Sequence, residues 1–181
     1  MNWRYATLAV LLPAVVALAG CGGGDAIGRY NVLVSVDENY VDEHKAMPSL
    51  EVHIRGLNNS ELSRWNTTSV SDYFAGARPS DKTVVMKFGE DLPKSEQKLD
   101  RKDPVWEKWE SQGATYLVVL ANLPGVRDGE AGGADPRKVV MPLRVGCWES
   151  GARGKWTIPI SISAPPEGVV CLRRFKLSEG D

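Results

Sequence analysis

Apolar and polar side chains alternate with a period of two along much of this chain, which restricts the fold strongly, because a segment so patterned buries one face only as a strand. Tyr30, Val32, Val34 and Val36 share one face of the segment 30–36, and Leu50, Val52 and Ile54 share one face of 49–55, with Glu51, His53 and Arg55 opposite. Thr83 to Phe88 has strand composition, and Thr115 to Leu123 (TYLVVLANL) is apolar on both faces, as expected for the centre of a sheet. Lys138 to Val145, Lys155 to Ser163 and Gly168 to Phe175 complete about seven strands, with Pro142 and Pro159 expected at edges or bulges. Strands without an alternating helix rhythm predict an all-β, antiparallel β-sandwich carrying short helical insertions.

The insertions have their own signals. Ser60 is a candidate cap for a short helix bearing Leu62 and Trp65, and Ser69 with Asp72 resembles a capping pair ahead of Tyr73 and Phe74. Asp103-Pro104 reads as a helix start that puts Val105, Trp106 and Trp109 on one face, with Gly113 as the stop. Core packing is the favoured reading of those two tryptophans, with a ligand platform as the alternative. DENYVDEHKAMP, between the first two strands, reads as an acidic, turn-rich loop with Tyr40 and Val41 as exposed apolar candidates. Gly125 to Pro136 reads as a surface loop, and His53, on the polar face of its strand, as a solvated residue.

Ahead of the first strand lies a different kind of segment. Arg4 precedes 14 apolar or weakly polar residues, Ala6 to Ala19, enough for a signal peptide and short of the roughly 20 that span a bilayer as a helix. The stretch ends in Leu18-Ala19-Gly20-Cys21, which resembles the lipobox of bacterial lipoproteins. That resemblance implies cleavage before Cys21, diacylglycerol on its thiol and a further acyl chain, such as palmitate, on its freed amine; two or more chains make a stable anchor. Gly22, rather than aspartate, after the cysteine points to the outer membrane, with the protein facing the periplasm. The expected organisation is a signal peptide over 1–20, a lipidated flexible tether over 21–28 and a single β-sandwich domain over 29–181.

Removing residues 1–20 removes Arg4, which takes the 22 basic residues to 21, against 23 acidic ones. That balance gives no basic surface for nucleic acid, and Arg173-Arg174 with Lys176 reads as a solvated strand end. The remaining cysteines, Cys147 and Cys171, fall in an oxidising compartment, and a disulfide between them is expected. Its loop of about 25 residues would contribute roughly 3 kcal/mol. A metal site is not expected, because His44 and His53 are the only histidines and neither has ligand spacing from a cysteine. The chain has no GxSxG, HExxH, Walker loop or CxxC, so no enzyme and no cofactor beyond the lipid on Cys21 is expected; a carboxylate pair such as Asp37 and Glu38 is the residual enzymatic reading.

In strand order the mature chain resembles the outer-membrane lipoproteins of type VI secretion systems, the TssJ (SciN-like) family, as a divergent relative. The resemblance rests on the opening strand Tyr30 to Val36 and the proline-led strand Pro48 to Leu57 (PSLEVHIRGL). It extends through a helical segment ending near Asp72-Tyr73-Phe74 to the strand Tyr116 to Ala121. The charged region Lys94 to Lys108 and the tail from Met141 depart from the family pattern. The resemblance implies a transthyretin-like sandwich that anchors a secretion membrane complex by binding the periplasmic domain of a TssM-like inner-membrane protein. It assigns the contact to the loop 37–47, with Tyr40, Val41 and His44 as partner-binding residues. The alternative is an envelope binding module that recognises glycan or protein through its loops.

Overall fold

The computed structural model describes residues 27–76, 79–92, 95–126, 134–148 and 156–175. In chain order these form β1 (Asn31–Val36), α1 (Glu38–His44), β2 (Leu50–Leu57), α2 (Asn59–Thr67), α3 (Val70–Gly76), β3 (Thr83–Phe88) and β4 (Glu96–Leu99). There follow α4 (Val105–Ser111), β5 (Tyr116–Ala121), β6 (Lys138–Pro142), a short 3-10 turn (Val145–Cys147), β7 (Thr157–Ile162) and β8 (Val169–Cys171). The strands make two four-stranded sheets, ordered β4-β1-β7-β8 and β3-β2-β5-β6. The expected sandwich is therefore present. One pairing, β1 with β7, runs parallel and makes the first sheet mixed; the other strand pairs are antiparallel.

The core lies where the alternation placed it. Val32, Val34 and Val36 of β1 and Ile158, Ile160 and Ile162 of β7 meet Leu50, Val52 and Ile54 of β2 and Leu117, Val119 and Ala121 of β5. A register slip of one residue on any of these strands would turn that set out of the core, so burial fixes the register. β5 is buried from Leu117 through Ala121 because its second face is also covered. There, Leu57, Val118 and Leu120 pack beneath Trp65 of α2 and Val70 of α3, with Tyr73 and Phe74 against them.

The capping signals set the helix ends. Asn58, two residues before the expected Ser60, starts α2: its side chain accepts from Glu61 N (2.9 Å) while Glu61 reaches back to Asn58 N (3.2 Å). Ser69 Oγ accepts from Asp72 N (3.0 Å) at α3, and Asp103 Oδ1 from Val105 N (2.9 Å) at α4. Gly113, at φ 67°, turns the chain out of α4 in the left-handed region that side chains avoid. Trp106 and Trp109 are each 1% exposed, and their indole N–H groups donate to Asp100 O (3.0 Å) and Lys82 O (2.8 Å). They are core residues. Gly56 makes room for Trp109: a Cβ there would lie 2.6 Å from Trp109 Cγ.

Three expectations change. The charged stretch after Lys94 contains β4, which the alternation did not reveal because only Leu99 of its four residues is buried. Pro159 lies on an inner strand, β7, rather than at an edge or bulge. Its carbonyl accepts from Leu172 N (2.9 Å), one residue past the end of β8, so its missing N–H falls where that ladder stops. Ile27 and Gly28, expected in the tether, already belong to the fold: Ile27 bridges Arg144, and Gly28 N donates to Leu143 O (3.0 Å).

Candidate functional site

The pairings define two ends of the sandwich. At one end β1 finishes beside the start of β4, and β2 starts beside the end of β3; α1, residues 89–92 and the 163–168 connection lie there. At the other end Ile27 leads into β1, beside Arg144, Trp156 and the chain after β8. Residues 1–26, including Cys21 and the expected signal peptide, lie outside the described residues.

The segment 37–47 is a helix where a loop was expected. Asp37 caps it, accepting from Asn39 N (2.9 Å), while its own N–H donates to Ile162 O (2.8 Å). Lys45 closes it in the left-handed region at φ 55°. Forming the turn puts Tyr40 and Val41 on one face, and that face packs inward. Tyr40 is 1% exposed and belongs to the main core, so it is not the exposed anchor that the sequence suggested. Val41 is half-buried against the same core. His44 is the last residue of α1, and its side chain lies outside what is described. Glu38, Asn39, Asp42 and Glu43 form the exposed face. Leu92, 43% exposed, and Glu167 stand at the same end, giving it an acidic rim with an apolar point.

The expected Cys147–Cys171 bridge is not formed. Cys171 is free, and its thiol donates to Arg173 O (3.3 Å) from a strand position paired with Ile160. Cys147 is 2% exposed and disulfide-bonded, with its partner outside the described residues. Burial pushes the Cys171 thiol pKa up, and a hydrogen bond and the charge from Arg173 only partly oppose this. That thiol is a poor nucleophile at neutral pH.

The outer face of β2 gathers ionisable groups that the alternation had left in solvent. His53 is 2% exposed, with Nε2 2.7 Å from Glu51 Oε1 and Nδ1 2.8 Å from Tyr73 Oη. Tyr73 and Phe74 rings stand 5.5 and 5.0 Å from the imidazole. Beside them Arg55 pairs with Glu61 (3.1 Å) and lies 5.7 Å over the Trp65 ring. A carboxylate, an imidazole and a hydroxyl in a row resemble a relay. Burial, however, raises the Tyr73 pKa and keeps the phenol protonated. The His53–Tyr73 bond ties α3 to the outer face of β2. Trp65, Tyr73 and Phe74, three aromatics within ten residues outside any strand, were the sequence sign that this face would be covered.

At the tether end, Arg29 donates through Nε and Nη2 to Glu110 (2.7 and 2.6 Å), tying the entry to β1 onto α4. Among the described residues no group of three acidic, histidine or cysteine side chains could hold a metal, and no helix is long and apolar enough to cross a membrane.

With this geometry in hand, comparison with known proteins yields one likeness. No family model matches the chain, and no curated protein does. Among solved structures it is similar to Serratia marcescens Lip, a membrane-bound component of the type VI secretion system. The identity is 10%, the match covers 83% of this chain and all of that one, and the TM-score is 0.39. At those values the functional reading rests on the residues of this chain.

Proposed function

We propose that this chain is a lipid-anchored envelope protein of a type VI-like secretion complex. Acyl chains on Cys21 hold one end of the sandwich at the outer membrane, and the opposite end docks the periplasmic domain of a TssM-like inner-membrane protein. The observation that carries the reading is the two-ended layout: the chain enters beside Arg144, whereas α1 and its exposed acids occupy the far end. The eight residues of β2 separate those ends by roughly 27 Å at 3.4 Å per residue. The sandwich thus acts as a rigid spacer between anchor and partner. The sequence resemblance to TssJ supports the same arrangement.

The role is structural rather than catalytic. In the acid–imidazole–hydroxyl row formed by described residues only His53 is buried, Glu51 and Tyr73 being partly exposed, and its phenol is protonated; the acids at the far end are exposed or used as a cap. The glycan-binding alternative loses its main support, since Trp106 and Trp109 are in the core. Docking is assigned to the exposed face of α1 with Leu92, and Tyr40 is given a packing role.

The test is capture of the periplasmic domain of a TssM-type protein by the acylated chain. Capture that is lost in an Asp42→Lys, Glu43→Lys variant of wild-type stability supports the proposal. Capture unaffected by that variant, or retention on glycan resin in its place, overturns it. Palmitate labelling that persists in Cys21→Ser would remove the anchor.

A further inference from the structure

The two ends differ in charge as well as position. Where α1 stands, the exposed side chains are mainly acidic, including Glu38, Asp42, Glu43 and Glu167. At the tether end the acids are engaged: Asp100 with Lys98 (2.9 Å), Asp81 with Lys108 (3.1 Å) and Glu110 with Arg29. Arg101, Lys102 and Arg174 are exposed there. Two guanidinium groups lie over indole rings: Arg101 at 5.5 Å from the ring centre of Trp156 and Arg173 at 4.9 Å from that of Trp148. Trp156 is one of three large apolar side chains exposed among the described residues, at 38%; beneath it is Tyr30, 6.0 Å away between ring centres.

We infer that this end is a membrane-contact surface, on which Trp156 enters the lipid headgroup layer while the surrounding arginines meet the phosphates of anionic phospholipid. The inference rests on the anchor at Cys21 and adds to it a fixed orientation of the sandwich. The first argument is reach. Six residue-to-residue steps lead from Cys21 to Ile27, so at no more than 3.6 Å per step the tether holds this end within about 22 Å of its lipid. The second is chemistry. Indole is an amphipathic ring suited to the interface, and each arginine near an anionic surface strengthens association. The third is complementarity: a basic, aromatic end faces the lipid while the acidic end is repelled by it. Docking this way turns a flexible attachment into a directed one and points α1 away from the membrane, where a partner crossing the periplasm arrives.

The test uses the acylated full mature chain in vesicles of brominated phosphatidylcholine, with and without phosphatidylglycerol. Bromine quenches indoles at the interface, and the other described tryptophans are buried. The proposal expects quenching that is greater with phosphatidylglycerol, declines with salt and disappears in Trp156→Phe. Each of Arg101→Gln and Arg174→Gln should lower the docked-to-undocked ratio about fivefold, the equivalent of about 1 kcal/mol. Both side chains are exposed, and far-ultraviolet circular dichroism confirms that the variants are folded. Vesicle association without Trp156 quenching, or quenching indifferent to phosphatidylglycerol and to both arginines, overturns the surface and leaves the anchor standing. Failure of the chain to associate with vesicles removes the anchor and the surface together.

Discussion

Tyr40→Ala separates a packing residue from a binding one. The side chain is 1% exposed and lies in the main core, so its truncation opens a cavity between α1 and the sandwich. Aromatic-to-alanine changes at such sites cost about 3–5 kcal/mol. For a domain of this size that lowers the melting temperature by roughly 6–20 °C, at 2–4 °C per kcal/mol. The neighbours on the exposed face behave oppositely: Asp42→Lys and Glu43→Lys should leave stability within about 0.5 kcal/mol, since neither side chain is buried. Urea unfolding followed by tryptophan emission measures both, and capture of the TssM-type domain at a temperature where every variant is folded measures docking. The expected pattern is a Tyr40→Ala chain that unfolds early yet still captures, and a charge-reversed chain that unfolds normally and does not. A Tyr40→Ala chain with the wild-type midpoint and no capture would show that Tyr40 meets the partner, and the reasoning from burial would fail.

Gly56→Ala should destabilise by about 1–2 kcal/mol, because overpacking against Trp109 exceeds the gain from a stiffer unfolded chain. The penalty should shrink in a Trp109→Leu background, and an equal penalty in both backgrounds would refute the contact. His53→Leu should cost about 1–3 kcal/mol by leaving Glu51 and Tyr73 without their shared partner, and a stabilised variant would count against the fastening role. The Glu110 carboxyl is held below its ordinary pKa, first by the Arg29 hydrogen bond and then by its charge, with burial opposing. A carboxyl depressed in the folded state stabilises above its unfolded pKa of about 4.3 and loses that contribution as pH falls through its lower folded value. The gap in stability between wild type and Glu110→Gln should therefore be open at pH 7 and close in acid; a gap that widens in acid would reverse the assignment. A sulfur in a thioether cannot also join a disulfide, so in a chain of three cysteines acylation of Cys21 leaves Cys147 and Cys171 to count. A disulfide at Cys147 and a thioether at Cys21 therefore exclude each other when Cys171 is free, and thiol counting on the unfolded, unreduced mature chain separates them: acylation of Cys21 leaves two thiols to titrate, one thiol, that of Cys171, would remove the anchor, and zero would restore the bridge between Cys147 and Cys171.

The strands that face the core were legible because their alternation is complete: β1, β2 and β5 each present an unbroken apolar set to it. β4 was not legible, since an edge strand with one buried residue carries almost no pattern. The outer face of β2 misled for a different reason. Alternation assigns a side chain to a face, but it does not say whether that face is later covered, and α2 and α3 turned His53 from a solvated residue into a buried one. Segment 37–47 carries two opposed signals: its acids suggest a loop, while Asp37 ahead of the adjacent apolar pair Tyr40 and Val41 caps a helix, and the burial of that pair decides between them. A count of cysteines carries no geometry: Cys171 directs its thiol to Arg173 O.

The two sheets are covered unequally, and this bears on how a spacer is built. α2 and α3 close the outer face of β3-β2-β5-β6, and Lys138 Nζ donates to the carbonyls of Trp65, Asn66 and Thr68, which satisfies the end of α2 against that sheet. Arg137, 3% exposed, binds Asp135 through two nitrogens (3.0 and 2.7 Å) and Ser71 Oγ (3.0 Å), so α3 is held from the β5–β6 side too. Buried charges held by several partners are costly to separate, because removing one partner strands the other. These bonds stiffen one sheet, while β1, the strand that leads from the tether, runs through the interior of the other between β4 and β7. A pull applied at the tether thus enters an inner strand and is shared by neighbours on both sides through hydrogen bonds loaded in shear. The proposed connector would be served by that arrangement, whereas an edge strand can be peeled away one bond at a time.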